Sequence, residues 1–287
     1  MRADLHIHTT ASDGCWTPEQ VVTEVQARGI GLFAIADHDS AANVLPVETL
    51  ARDAGLTFLR GVEISTLLDG QLFHMLAYGF DIGNPGLTAL LQENRAKLDQ
   101  QNDSIVHRLI AAGYEIDLDD YIAYECDHTR GGWKVLNFLI DRGFCTGPRD
   151  YFDQLVAPLP TVWPAFPHPA YVIAIIREAG GVPILAHPGA SMRRTGIADE
   201  TLHSFLDFGI AGLECYTCYH DEDTTRWFVD WCDRHDLLVT GGSDCHGGFV
   251  GRELGVPVVD TADLRLGKLV ERRSLTTIVE FAEAARA

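Results

Sequence analysis

The chain has 287 residues, 46% of them hydrophobic, which is enough for one α/β barrel of ~250 residues with an insertion and for a sizeable core. Its formal net charge of −19 repels polyanions at long range, arguing against backbone-driven binding of duplex nucleic acid. A small phosphorylated substrate stays open, because bound cations invert a local field. No apolar run approaches the ~20 residues of a membrane helix, and no signal pattern precedes the first strand, so a soluble cytoplasmic protein without a membrane partner is expected.

In chain order, Ala3–Thr9 reads as a strand. A helix follows with Thr17 as N-cap and Pro18 at its first position, ending near Arg28-Gly29. Gly31–Asp37 is a second strand and Ala41–Ala54 a helix. Thr57–Ser65 and Leu72–Phe80 read as strands joined by a turn around Asp69-Gly70. Leu87–Ala112 is a long helical stretch, after which the chain to about Pro167 is helical and irregular, rich in aromatics and proline. Alternation resumes with helix Ala170–Ala179, strand Val182–Ala186, helix Asp199–Phe208, strand Gly212–Cys218, helix Asp223–His235, strand Leu237–Gly241 and a closing helix Leu275–Ala285. Such alternation predicts an α/β fold, a parallel sheet or barrel with helices outside. Residues 1–99 and 166–287 would form the barrel, with 100–165 a helical insertion contributing to the substrate pocket.

The seven cysteines show no disulfide-like spacing. Cys215 and Cys218 make a CxxC pair in a strand-like segment, where an odd offset sends the side chains to opposite faces. With no second pair to complete a zinc site, ordinary reduced thiols are expected.

Candidate metal ligands gather where strands end. In His6-Ile7-His8 the strand period of 2 puts both imidazoles on one face. Asp13 follows in the loop, and Ala36-Asp37-His38-Asp39 ends the second strand. Glu63, His74 and His187 lie at or near strand ends, and Asp244 and His246 form another i, i+2 pair. Each alone has a bland reading as a satisfied or surface residue. Together they place six histidines and three carboxylates at the ends of apolar strands, where a barrel builds its active site. Burying that set without a cation would be costly. Three carboxylates against three divalent ions leave about +3, enough to hold a phosphate. A mixed His/carboxylate set suits Mn²⁺, Zn²⁺ or Fe²⁺, and paired ions can generate hydroxide and clamp the attacking and leaving oxygens.

The segments DLHIHTTASDG, AIADHDS, GVEIS, FHMLAYG, ILAHPG and GGSDCHG, spanning Asp4 to Gly247, resemble in order the motifs of the polymerase-and-histidinol-phosphatase (PHP) family of metal-dependent phosphoesterases. The resemblance implies a distorted (β/α)₇ barrel with a helical insertion, as in members that act on nucleotides or cyclic phosphates. It implies one metal position at His6, His8, Glu63 and Asp244, a second sharing Glu63 and adding His74 and His187, and a third at Asp13, His38 and His246. Asp13 stands where some members carry histidine.

On the substrate side, Arg130 and Lys134 flank Gly131-Gly132-Trp133 in the insertion and are candidate phosphate donors, with Trp133 expected to pack in a core. Arg194, in an Arg193-Arg194 pair, is a further candidate. His220 follows the Gly212–Cys218 strand and resembles a histidine that relatives place near phosphate, which implies a phosphate-binding or proton-donating role. His107, His203 and His235 read as surface or packing residues, and His128 and His168 are left unassigned. The expected activity is hydrolysis of a small phosphate ester, a nucleotide, nucleoside bisphosphate or cyclic ribose phosphate, by a hydroxide bridging two to three divalent ions. The alternatives are a histidinol-phosphate-type phosphatase, amidohydrolase-type hydrolysis at carbon, and a non-catalytic interaction module.

Overall fold

Two mixed sheets carry the fold. In the computed structural model, which describes residues 1–159, 163–192, 199–267 and 269, one sheet has the order β3-β2-β1-β9 and the other β4-β5-β6-β7-β8. β1 (Arg2–Asp4), β2 (Ile30–Ala34) and β3 (Thr57–Leu59) run parallel, with β9 (Val259–Asp260) antiparallel against β1. In the second sheet β4 (Gly61–Leu68), β5 (Gln71–Tyr78) and β6 (Val182–Leu185) pair antiparallel, while β6, β7 (Gly212–Tyr216) and β8 (Leu238–Gly241) are parallel. Isolated parallel bridges Ile7↔Cys245 and His38↔Glu63 join the sheets. Both bridges contain or adjoin candidate ligands, so the junctions of the sheets are also where the site lies.

Helix starts follow local chemistry. α1 (Pro18–Ala27) opens with a capping box, in which the Gln20 N–H bonds the Thr17 hydroxyl and the Thr17 N–H bonds Gln20 Oε1. α2 (Val44–Asp53) buries Val44, Val47 and Ala51, spaced for one helical face. α3 runs the 27 residues Pro85–Ala111, capped by the Asn84 side chain. α4 (Leu118–Ala123), α5 (Lys134–Asp141) and α6 (Pro148–Asp150) follow, the last running into a π-helical turn over Tyr151–Val156. α7 (Pro169–Glu178), α8 (Pro188–Met192), α9 (Asp199–Phe208) and α10 (Glu222–Arg234) alternate with β6, β7 and β8.

The expected strand over Thr57–Ser65 is two strands in different sheets. The chain turns at Arg60, whose guanidinium pairs with Glu48 of α2 at 2.8 Å. β4 then folds back on β5 through Asp69 and Gly70, both with positive φ (50° and 79°), as a two-residue hairpin turn demands. A hairpin needs no crossover helix, so the sheet is mixed rather than wholly parallel. The expected helix Leu275–Ala285 lies outside the described residues.

In β2, β5 and β6, and in the residues just after β2 and β6, the strand period separates two cores. Phe33, Ile35, Phe73, Met75, Ala77 and Leu185 face the large helix-covered cluster. Leu32, Ala34, Ala36, Leu76, Tyr78, Ile184 and Ala186 face a smaller one with Ala3 and Leu5. His38 and His74 continue the second set of positions, so the ligands extend the face lined by these small and apolar residues. A third cluster belongs to the stretch expected as an insertion. Ile105, Val106 and Leu109 of α3 pack with Val135, Leu136, Phe138 and Leu139 of α5, and with Tyr121, Tyr151 and Leu155. Trp133 packs against this cluster, as expected of it, with its ring 5.8 Å from Tyr151. No helix among the described residues is long and apolar enough to cross a membrane.

Candidate metal centre

The two i, i+2 pairs are brought together by backbone hydrogen bonding. The His8 N–H bonds the Cys245 carbonyl at 2.8 Å, beside the Ile7↔Cys245 bridge, which seats His6 and His8 against Asp244 and His246. On the other side, the Asp39 N–H bonds the Glu63 carbonyl at 2.8 Å, setting His38 beside Glu63. All nine predicted ligands converge. Their atoms form three groups: His6, His8, Glu63 and Asp244; His38, Glu63 and His74; and His8, Asp13, His38 and His246. His187 Nε2 joins them 2.9 Å from Glu63 Oε1, the oxygen that His74 Nδ1 approaches at 3.1 Å. The grouping is more shared than the family pattern implies. His38 reaches Glu63 at 3.0 Å as well as belonging to the Asp13 group, and His8 belongs to two groups.

Five imidazoles surround Glu63, with nitrogens at 2.9–3.4 Å from its oxygens. Tautomers show that hydrogen bonding alone does not satisfy this cluster. His6 Nδ1 donates to Glu214 Oε1 at 2.9 Å, which leaves the Nε2 lone pair of the neutral ring facing Glu63 Oε2 and Asp244 Oδ1, at 3.3 and 3.5 Å. His246 Nδ1 donates to the Asp244 carbonyl at 2.8 Å, so its Nε2 lone pair faces Asp13 Oδ1 at 3.4 Å. Glu63 Oε2 and His187 Nδ1 are buried without a hydrogen-bond partner. Acceptors converging on acceptors in a buried space suit divalent cations, whose ligands are neutral imidazoles and carboxylates. The residues therefore fit bound divalent cations.

With no cation bound, the imidazoles themselves would carry the charge that balances the carboxylates, and binding a divalent ion would displace those protons. Burial pushes the Glu63 carboxyl up, but the charges of His38, His74 and His6 prevail and hold it well below the usual range. Asp244 is likewise held low against its burial, by His6, His8 and His246. Burial, with the neighbouring charges of His246 and His38, lowers His8 to about 3. His38 rises to about 10, because the anions Glu63 and Asp13 outweigh its desolvation.

A ring of further groups holds the ligands. Glu214, fully buried on β7, accepts His6 Nδ1 through one oxygen and the His187 N–H through the other, at 2.9 and 2.8 Å. It thereby fixes the His6 tautomer. His187 and Asp244 sit at φ 25° and 53°, a backbone region costing about 1–3 kcal/mol for such residues and persisting only where neighbours enforce it. Asp4 accepts the N–H groups of His6, Ser243 and Gly255. Asp37 accepts the Thr9 N–H and the Thr9 and Ser12 hydroxyls. Asp39 accepts Ser65 and the Asn94 amide of α3. Arg252 Nη1 lies 2.6 Å from Asp244 Oδ2, which also accepts the Tyr219 hydroxyl at 2.8 Å, and the guanidinium lies 5.0 Å from the Tyr219 ring centroid. Sequence reasoning missed Glu214, Tyr219 and Arg252. The only signal for Glu214 is a lone acid inside an apolar strand; Tyr219 and Arg252 carry none.

The expected substrate residues have partners of their own within the chain. Arg130 makes two 2.8 Å bonds to Asp141, and Lys134 Nζ bonds the Ile122 carbonyl at 3.1 Å above the Tyr121 ring, so both are engaged by residues of the stretch expected as an insertion. Both ring nitrogens of His220 bond backbone. Nδ1 meets the Cys215 carbonyl at 2.8 Å and Nε2 accepts the Gly189 N–H at 2.9 Å, which ties the loop after His187 to β7. Arg194 lies outside the described residues. All seven cysteines are free thiols, with Cys215 buried and Cys218 exposed.

A family model described as the PHP domain matches residues 4–155. The chain is 30% identical over 258 residues to a 5′-3′ exoribonuclease of Haemophilus influenzae, covering 88% of this chain and 92% of that one. It is 30% identical over 266 residues to a 3′,5′-nucleoside bisphosphate phosphatase of Chromobacterium violaceum, covering 88% and 90%. A solved structure from Bifidobacterium adolescentis, assigned as a metal-dependent phosphoesterase, matches with a TM-score of 0.80 and 30% identity over 94% of each chain. With the family model spanning more than half the chain, and relatives nearly all of it, this chain belongs to the PHP-domain family.

Proposed function

We propose that the chain hydrolyses a phosphate ester of a small nucleotide-type molecule, a nucleoside bisphosphate first, at a centre held by His6, His8, Asp13, His38, Glu63, His74, His187, Asp244 and His246. One observation carries this reading: a buried carboxylate, Glu63, faces five imidazoles while lone pairs of His6 and His246 point at other anions. Bound Mn²⁺, Zn²⁺ or Fe²⁺ would lower the pKa of a water and neutralise phosphate oxygens. Two such ions fit the His6 and His74 sides of Glu63, and a third the Asp13–His246 edge. The distorted barrel belongs to the same reading, with the Ile7↔Cys245 and His38↔Glu63 bridges as the points where the sheets would close.

The chain's own groups divide the work. His6 and Glu63 have no exposed surface and form the fixed floor. Asp13, His38 and His74 keep 17%, 24% and 18% side-chain exposure, so substrate approaches across that edge. Glu214 orients His6, and His220 steadies the loop that carries His187. Arg252 sets a guanidinium beside Asp244, where it offsets negative charge. Arg130 and Lys134 stand two residues either side of Gly132, whose N–H bonds the Asp13 carbonyl. There they would face the alcohol or second phosphate of a substrate after leaving their present partners.

The test is a kcat/KM comparison with Mn²⁺ across a 3′,5′-nucleoside bisphosphate, a cyclic ribose phosphate, a short 5′-phosphorylated oligoribonucleotide and histidinol phosphate. The nucleotide substrates should exceed histidinol phosphate at least about tenfold, which needs ~1.4 kcal/mol of differential transition-state binding. A preference for histidinol phosphate refutes the nucleotide assignment. Absence of hydrolysis across the panel, with metals bound, supports the non-catalytic module instead.

A further inference from the structure

The loop holding Asp13, the loop holding His246 and the turn at Gly131-Gly132 meet at one point. The Gly132 N–H bonds the Asp13 carbonyl at 2.7 Å across 119 residues of chain, and the Cys15 N–H bonds the His246 carbonyl at 3.2 Å. Three residues beyond His246, Phe249 lies on the two glycines and packs with the insertion's own core. The contact leaves no slack. A Cβ on Gly131 would come within 2.7 Å of Phe249 Cγ, and one on Gly132 within 2.6 Å of Phe249 Cζ and 3.0 Å of Leu136 Cδ2. Both glycines adopt φ near +74°, which L-residues with a side chain enter at a cost. The turn is anchored from behind, where the buried Asn137 amide donates to the Gly131 carbonyl at 2.9 Å. Asp13 and His246 belong only to the ligand group that does not contain Glu63, and they face each other at 3.4 Å. Their spacing therefore rests on the two loops that the turn and Phe249 hold.

We infer that Gly132 and Phe249 are positioning residues through which the insertion fixes the Asp13–His246 edge of the centre and sets its affinity for a divalent cation. The inference rests on the reading that this edge holds an ion of its own. It separates two layers of control: the Glu63 floor is built by the sheets, whereas the outer edge depends on a segment with its own hydrophobic core. An insertion that shifts when substrate binds would then alter the outer ion without disturbing the inner pair.

Calorimetric titration of metal-stripped full-length protein with Mn²⁺, checked by elemental analysis, tests this. Asp13→Asn first identifies which binding step belongs to the outer edge. Phe249→Ala should weaken that step about tenfold or more, about 1.4 kcal/mol, while the other steps stay within about twofold. Phe249→Leu should fall between Ala and wild type. Gly132→Ala should behave like Phe249→Ala; if it fails to fold, the Phe249 pair decides. Wild-type affinity at the outer step in Phe249→Ala overturns the inference, as does parallel weakening of every step, which marks general loss of structure. A wild type with no step sensitive to Asp13→Asn overturns the outer-ion reading itself, and is distinguishable because it needs no insertion variant.

Discussion

Glu214→Gln tests whether the centre depends on a residue that touches no metal position. Glu214 has no solvent exposure, so water cannot replace what it provides. Two donors converge on its carboxylate, His6 Nδ1–H at 2.9 Å and the His187 N–H at 2.8 Å. Glutamine preserves the shape but offers one acceptor oxygen. Whichever donor that oxygen serves, the other meets an amide N–H and loses its partner, at a cost of about 1–3 kcal/mol. If the lost partner is His6 Nδ1, the ring is free to change tautomer and turn its lone pair from the ligand space. If it is His187, the positive-φ backbone that carries that ligand loses the hydrogen bond on its own N–H. Outer partners of metal-binding histidines are typically worth ~10–100-fold in affinity, the same range. Competition against a chromophoric chelator should therefore show Mn²⁺ bound ~10–100-fold more weakly in Glu214→Gln, with the Asp13–His246 step least affected. Glu214→Asp, which keeps both oxygens, should recover part of the loss. Affinity within twofold of wild type in a folded Glu214→Gln protein would refute the reasoning.

Metal removal should stop turnover whether done by EDTA or by Glu63→Gln, which takes away the carboxylate that five imidazoles face; full activity in EDTA, or a Glu63→Gln protein retaining both its ions and its rate, would remove the metal mechanism or the bridging role respectively. Ions that bind only the folded state add about 2.7 kcal/mol at a hundredfold excess over Kd, so the melting temperature should also drop in EDTA. Arg252→Gln should lower kcat/KM toward phosphate esters about tenfold, ~1.4 kcal/mol, with Arg252→Lys recovering part. Unchanged kinetics would limit the guanidinium to covering Asp244.

Much of this site could be read before any coordinates. The expected strand Ala3–Thr9 is shorter, β1 ending at Asp4 with only Ile7 bridging beyond it, yet the period of 2 still places His6 with His8, their ring nitrogens 3.2 Å apart. The helix start at Thr17 follows from the local fit between a short polar side chain and unpaired N–H groups, whereas the Asn84 cap puts the start of α3 two residues ahead of the expected Leu87. These are properties of neighbours along the chain, so they survive without knowledge of the fold. The Asp69-Gly70 turn was equally legible, because its positive φ values favour those residues. The direction in which the second sheet continues was not, since hairpin and crossover strands share the same apolar alternation.

Charges were the least legible part. Nothing in the sequence reveals that Arg130 pairs with Asp141 or that Lys134 lies over the Tyr121 ring. Nor does it reveal the Cys215 carbonyl and the Gly189 N–H on the two nitrogens of His220. Glu214 and Arg252 look ordinary until β7 and the loop after His246 bring them to His6 and Asp244. The sequence by itself determined which residue types could hold cations and which of them share a strand face, because chain geometry repeats every few residues. Tertiary structure alone decided which carboxylate faces five imidazoles, which cations are already paired, and that Gly132 lies against Asp13. A hydrogen bond or ion pair depends on separations of about 3 Å between atoms whose distance along the chain carries no such information.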